Sequence, residues 1–250
     1  MIIDFQAYIR RDFKTKEYDV AELLRDMEEN QIQKRVVTAL EGRSIQAQND
    51  FIVKLVQDYP RQLIGCAILN PKEDSCPAEA ARILAAPEIK VLEFHSLEHG
   101  YRPEKLQFHI DPVLEICQER GILVKVFTGQ GFYTMPEQWM FYSKRFPNLT
   151  FIIEHFGGSD FSYGTIDLVK SHENLMVTTS YETEMQPLKM AFGKLPEEKY
   201  LFGSNYPLNF TDLALMKYNI LNLSQSQKEH LFYKNASRIL KLIEELENKL

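Results

Sequence analysis

The chain has 250 residues, 44% of them hydrophobic and 26% charged, and a formal net charge of −6. This is the composition of an ordinary globular protein. Its acidic balance and scattered Lys and Arg argue against a nucleic-acid partner, which would need clustered cations, and no apolar run approaches the ~18 residues of a membrane span.

Short, β-rich apolar runs alternate with amphipathic helical segments along the chain. Strands are predicted at residues 2–7, 35–39, 63–68, 90–94, 123–127, 150–154, 175–179 and 200–203. Each is mostly apolar, as a strand buried on both faces should be. After the first strand, Val20, Leu23, Leu24 and Met27 fall at helical spacing, with Asp19 placed to cap them. Asp111-Pro112 reads as a cap and first-turn proline, with Val113, Ile116 and Cys117 inward and Gly121 as the stop. The last segment puts Ile239, Leu240, Ile243 and Leu246 on one stripe.

Cys66, Cys76 and Cys117 lie far apart with no metal-binding spacing, which points to free thiols in a reducing compartment. The chain opens directly on Ile2-Ile3-Asp4-Phe5, without a charged leader, so a cytoplasmic location is expected.

Repeated strand–helix units allow an open doubly wound sheet or a closed barrel. The turn after the first strand, Gln6-Ala7-Tyr8-Ile9-Arg10-Arg11, has none of the glycines of a nucleotide-binding open sheet. Eight units in this length predict an α/β fold, one (β/α)8 TIM barrel over residues 1–250. Function in such barrels sits at the C-terminal ends of the strands. Those ends read Gln6-Ala7-Tyr8, Glu93-Phe94-His95, Val126-Phe127-Thr128-Gly129, Glu154-His155-Phe156-Gly157-Gly158 and Phe202-Gly203-Ser204-Asn205-Tyr206-Pro207. Alternation along a strand turns Gln6 and Tyr8 to one side, and likewise Glu93 and His95.

These ends resemble, in order and spacing, those of the amidohydrolase-related family of metal-dependent hydrolases and decarboxylases, the group that includes aminocarboxymuconate-semialdehyde decarboxylase. Ile2 to Ile9 is similar to that family's Ile-Ile-Asp-x-His-x-His, and Phe127-Thr128-Gly129 to its His-Thr-Gly. His155 to Gly158 is similar to its His-x-Gly-Gly, and Phe202 to Pro207 to its Phe-Gly-Thr-Asp-Tyr-Pro. Gly100-Tyr101-Arg102-Pro103 and the closing Lys234 to Leu240 extend the resemblance over nearly the whole chain.

The resemblance implies a divalent metal, usually zinc, held by the first-strand histidine pair, a strand-five or strand-six histidine and a strand-eight aspartate. Here Gln6 and Tyr8 replace the pair, Phe127 the strand-five histidine and Asn205 the aspartate, leaving His155 alone. Zinc needs three or four good ligands; a phenyl ring offers none, and a neutral amide is a poor one. Asn205 cannot take a proton from an attacking water, as the aspartate would. The expectation is therefore no metal and no other cofactor.

Two readings stand at each position. His155 is either a retained ligand or acid–base group, or a rim histidine bonded to Asn205 or Tyr8. Glu93 and His95 form an acid–base pair, or a nearby Lys or Arg neutralises Glu93. Tyr8 and Phe127 shape an aromatic pocket or fill the space a metal would have held. Glu182 and Glu184 add carboxylates to the rim or lie in a solvated loop. The runs Phe132 to Met135 and Trp139 to Tyr142 form a lid or, as apolar cover requires, a contact in a homo-oligomer.

The leading expectation is a pseudoenzyme or small-molecule-binding barrel whose pocket gathers Gln6, Tyr8, Phe127, Asn205 and Tyr181. The alternative is a metal-independent or unorthodox-metal hydrolase, decarboxylase or lactonase. It would act on a small carboxylate, lactone or amide through Glu93, His95 and His155.

Overall fold

Parallel strands buried on both faces need helices around them, and the chain supplies both in strict alternation. A computed structural model describes residues 1–12 and 14–242. The strands are β1 Ile3–Arg10, β2 Lys34–Leu40, β3 Leu63–Leu69, β4 Ile89–Phe94, β5 Leu123–Val126, β6 Phe151–Ile153, β7 Leu175–Thr178 and β8 Tyr200–Leu201. They form one parallel sheet in the order β1 to β8. Bonds from Phe5 N to Phe202 O (2.8 Å), Asn205 N to Gln6 O (2.9 Å) and Tyr8 N to Tyr206 O (2.7 Å) join the two ends. The result is the predicted (β/α)8 barrel.

A helix follows each strand: α1 Val20–Glu29, α2 Ile45–Asp58, α3 Cys76–Ile83, α4 Gln107–Arg120, α5 Met140–Arg145, α6 Gly158–Ser171, α7 Met185–Lys194 and α8 Thr211–Ile220. Asp19 caps α1 as expected, its side chain accepting from Glu22 N at 2.9 Å, and Leu23 and Met27 are buried. The α4 expectation needs correction: the helix begins at Gln107 and carries Pro112 inside it. The buried stripe Ile110, Val113, Leu114, Cys117 explains this, since it extends the apolar face one turn earlier. The proline has no N–H to give the carbonyl of Phe108 one turn earlier, and Phe108 is an exposed residue. Gly121 ends α4 in the left-handed region. Ile239 and Leu240 pack at the barrel's base; Ile243 and Leu246 of the predicted stripe lie outside the described residues. Among the described residues no helix is long and apolar enough to cross a membrane.

The layering of the barrel interior positions the site. Phe5, Val36, Cys66, Val91, Leu123 and Ile152 belong to one apolar core, separate from the larger core shared with the helices. Two residues further along the strands come Thr38, Glu93, Lys125 and Glu154, all fully buried. On β1 the register shifts between Asp4 and Ala7, which moves the inward phase from Ile3 and Phe5 to Gln6 and Tyr8. Asp4 leaves the interior and joins a buried network, accepting from Arg35 Nε at 2.8 Å and Ser204 Oγ at 2.5 Å.

Candidate functional site

Lys125 stands at the centre of the polar layer. Its Nζ donates to Gln6 Oε1 at 2.5 Å and forms ion pairs with Glu93 Oε2 at 3.0 Å and Glu154 Oε1 at 3.1 Å, so one ammonium faces three oxygens. Thr38 Oγ1 donates to Glu93 Oε2 at 2.7 Å. The Tyr8 hydroxyl lies 3.0 Å from Glu93 Oε1 and 3.3 Å from Glu154 Oε2. A phenol has one hydrogen, so one of these contacts must use a hydrogen from the other partner.

The electrostatics identify that partner. Burial opposes ionisation of Glu93, but Lys125 and His95 outweigh it and hold the carboxyl below its ordinary range. Burial first, and then the neighbouring Glu93 charge, push Glu154 up to about 8. Burial opposes the Lys125 charge as well, yet the two carboxylates raise its pKa. Lys125 is therefore a cation, Glu93 an anion and Glu154 a neutral acid at pH 7. Glu154 donates to Tyr8, Tyr8 donates to Glu93, and the cluster carries no net charge.

Above this layer lies an aromatic rim. Phe127 stacks on His95 at 4.0 Å and meets His155 edge-on at 4.8 Å, with Tyr181 on the far side of His155 at 5.6 Å. The backbone after β6 is left-handed at His155 (φ 57) and Phe156 (φ 56), which carries the His155 ring to the rim while Glu154 stays inside. His155 Nδ1 pairs with Ser180 Oγ at 3.0 Å, leaving Nε2 at 3.9 Å from Glu154 Oε2. Burial lowers the pKa of His155 to about 3 and that of His95 to about 4, so both rings are neutral. Two buried amide atoms at the rim, Gln6 Nε2 and Asn205 Oδ1, have no hydrogen-bond partner.

The predicted residues Gln6, Tyr8, Glu93, His95, Phe127, His155, Tyr181 and Asn205 all lie at this end of the barrel, but several pairings differ. Glu93 and His95 do not hydrogen-bond: Lys125, Thr38 and Tyr8 occupy the carboxylate, and His95 Nδ1 accepts from Glu98 N at 3.1 Å. His155 bonds Ser180, not Asn205 or Tyr8. Of the two readings of Glu182 the solvated loop does not hold: the residue is buried, and its carboxylate turns back to accept from Glu184 N at 2.7 Å. Trp139 and Tyr142 are core residues, Trp139 against Phe94 and Tyr142 against Trp139, whereas Phe132, Tyr133 and Phe141 are exposed.

Lys125 and Glu154 went unread as site residues. Lys125 precedes Phe127 by two positions, so alternation alone would have turned it inward.

The fold and these strand ends together define a barrel of the amidohydrolase type. The family model described as amidohydrolase matches residues 5–242, and the chain belongs to that family. Among solved structures, an uncharacterised TIM-barrel protein from Bordetella bronchiseptica is 17% identical, with 96% of this chain and 98% of that one covered at TM-score 0.77. 5-Carboxyvanillate decarboxylase from Sphingomonas paucimobilis is 16% identical, covering 96% and 98% at TM-score 0.72. A dihydroxybenzoic acid decarboxylase from Polaromonas sp. JS666, with bound manganese and an inhibitor, is 14% identical, covering 97% of each chain at TM-score 0.71. At these identities the likeness is one of fold. No curated protein sequence matches the chain significantly.

The donors present do not fit the metal that the family implies. Lys125 already occupies Gln6 Oε1 and both carboxylates, Phe127 presents a ring face, and His155 has one nitrogen on Ser180. Among the described residues no three His, Cys, Asp or Glu side chains are grouped to hold a metal ion.

Proposed function

We propose that this chain is a metal-independent member of the amidohydrolase family that binds a small polar molecule at the barrel mouth. The position of Lys125 carries this reading. A fixed ammonium between Glu93 and Glu154 supplies the positive charge that the Glu93 carboxylate requires, and a second cation beside it would be repelled. The unpartnered Gln6 Nε2 and Asn205 Oδ1 support a ligand that offers one acceptor and one donor. The neutral rings of His95, Phe127, His155 and Tyr181 supply flat apolar contact. Elemental analysis of protein purified without chelators should find far less than one metal per chain, and added zinc or manganese should leave the melting temperature unchanged. One tightly bound, stabilising metal per chain would overturn the reading.

A second reading is favoured by one contact, the 3.9 Å between Glu154 Oε2 and His155 Nε2. Glu154 keeps a proton at neutral pH, which suits a general acid. In a decarboxylation, the bond between carbon and carboxylate breaks and carbon dioxide leaves. The remaining electron pair then takes the Glu154 proton by way of His155, and solvent restores the acid. Carbon dioxide release from 5-carboxyvanillate that persists with chelator and disappears in Glu154→Gln and His155→Ala would support it; no release would reject it.

A further inference from the structure

A cavity of about 330 Å³ lies beside the barrel mouth, between the loops that follow β7 and β8. Tyr181, whose ring touches His155, forms one wall, and Leu208, Phe210 and Leu213 form much of the rest. These three side chains are 48%, 75% and 54% exposed, unusual for large apolar groups so close together. The polar lining of the cavity comes from Glu182, Thr183, Asn209 and, on α8, Lys217, whose Nζ donates to Thr179 O at 2.7 Å and Glu182 O at 3.1 Å.

Neither partner of Lys217 is a carboxylate. An ammonium carries three hydrogens, and two are taken by these carbonyls. Burial lowers its pKa to about 8, because the nearby Glu182 charge compensates only in part. Glu182 lines the same cavity: its Oε1 accepts from Glu184 N, its Oε2 is buried without a partner, and burial raises its pKa, so a proton on Oε2 would donate to an anion held by Lys217. An anion in the cavity would complete the coordination of Lys217 and restore its charge.

We propose that this cavity binds a small amphipathic monocarboxylate, its carboxylate on the third hydrogen of Lys217 and its apolar body against Leu208, Phe210 and Leu213. The volume suits a ligand of modest size, at the lower end of the ~300–1,000 Å³ usual for small-molecule pockets. The site shares only Tyr181 with the barrel mouth, so it does not rest on the function proposed above.

Calorimetric titration with hexanoate and its neutral isostere hexanamide tests the assignment. Hexanoate should bind the wild-type protein at least tenfold more tightly than hexanamide. Lys217→Met should abolish that advantage, and His155→Ala should keep it. Equal binding of the two compounds, or an undiminished advantage in Lys217→Met, would overturn the proposal. So would an advantage lost in His155→Ala and kept in Lys217→Met, which would instead move the carboxylate to the barrel mouth. A readout without any variant is the ¹³Cε resonance of Lys217, whose titration midpoint should move up when hexanoate is added. An unchanged midpoint at saturating hexanoate would also overturn it.

Discussion

Three oxygens surround the Lys125 ammonium in the barrel interior, and all four side chains are shut off from solvent. Removing one partner of a buried ion pair leaves an uncompensated charge, at a cost of about 3–5 kcal/mol. Lys125→Met should therefore lower the melting temperature by roughly 10 °C, at ~2–4 °C per kcal/mol for a chain of this size. Adding Glu93→Gln and Glu154→Gln to that variant should recover part of the loss, because no charge then remains to desolvate. A single variant that melts within a degree or two of wild type would mean that the cluster is not held by Lys125. At this scale the sequence was partly legible. Glu93 and His95 were placed on the correct face by strand alternation, and neutralisation of Glu93 by a nearby cation was one of the two readings open. The identity of the cation was not legible, because Lys125 is far from Glu93 in sequence and only the register between β4 and β5 sets the two side by side.

Two loops carry glycines for a reason that belongs to the elements they join. A Cβ on Gly158 would lie 2.4 Å from Gly129 O, and one on Gly129 would lie 2.7 Å from Gly158 N. The loop after β5 and the N-terminus of α6 thus touch backbone to backbone. Gly158 also has φ +60, where a side chain is strained in its own right. Gly158→Ala should destabilise the fold by more than 1 kcal/mol, measured by urea unfolding, and should displace the neighbouring His155 loop. An alanine variant of wild-type stability would show that the two loops can separate freely. Elements with strong local signals, such as the Asp19-capped α1, could be read from spacing alone. The β1 register shift could not, because it lies in how that strand pairs with β2, and it decides that both Gln6 and Tyr8 face inward.

Buried titratable groups make the stability of the whole molecule depend on pH in two opposing directions. His155, His95 and His99 have folded pKa values lowered to about 3, 4 and 4, all chiefly by burial. Their contribution is present above the ordinary histidine value and is lost as pH falls from 6.5 towards those values. Glu154 has the opposite sign: raised to about 8, its contribution is full below the ordinary 4.5 and is lost as pH rises to about 8. Three histidines outweigh one carboxyl on the acid side, so the melting temperature should peak near pH 6.5 and fall on both sides. Glu154→Gln reproduces the protonated acid, facing Lys125 and donating to Tyr8. It should flatten the decline between pH 6.5 and 8 and leave the acid limb in place. An unaltered decline in that variant would show that Glu154 is ionised in the folded protein.

The sequence by itself determined the barrel, because eight apolar runs buried on both faces and separated by amphipathic helices have few other ways to satisfy their backbones and bury their surface. It also showed which family ligands are replaced, since those are identities read position by position at the strand ends. Only the tertiary structure decided what took over the interior. Tyr8, Glu93 and Lys125 come from β1, β4 and β5, and Glu154 from the end of β6. Their charge balance depends on burial and on distances of about 3 Å, quantities set by strand register and closure of the sheet and by no local pattern along the chain.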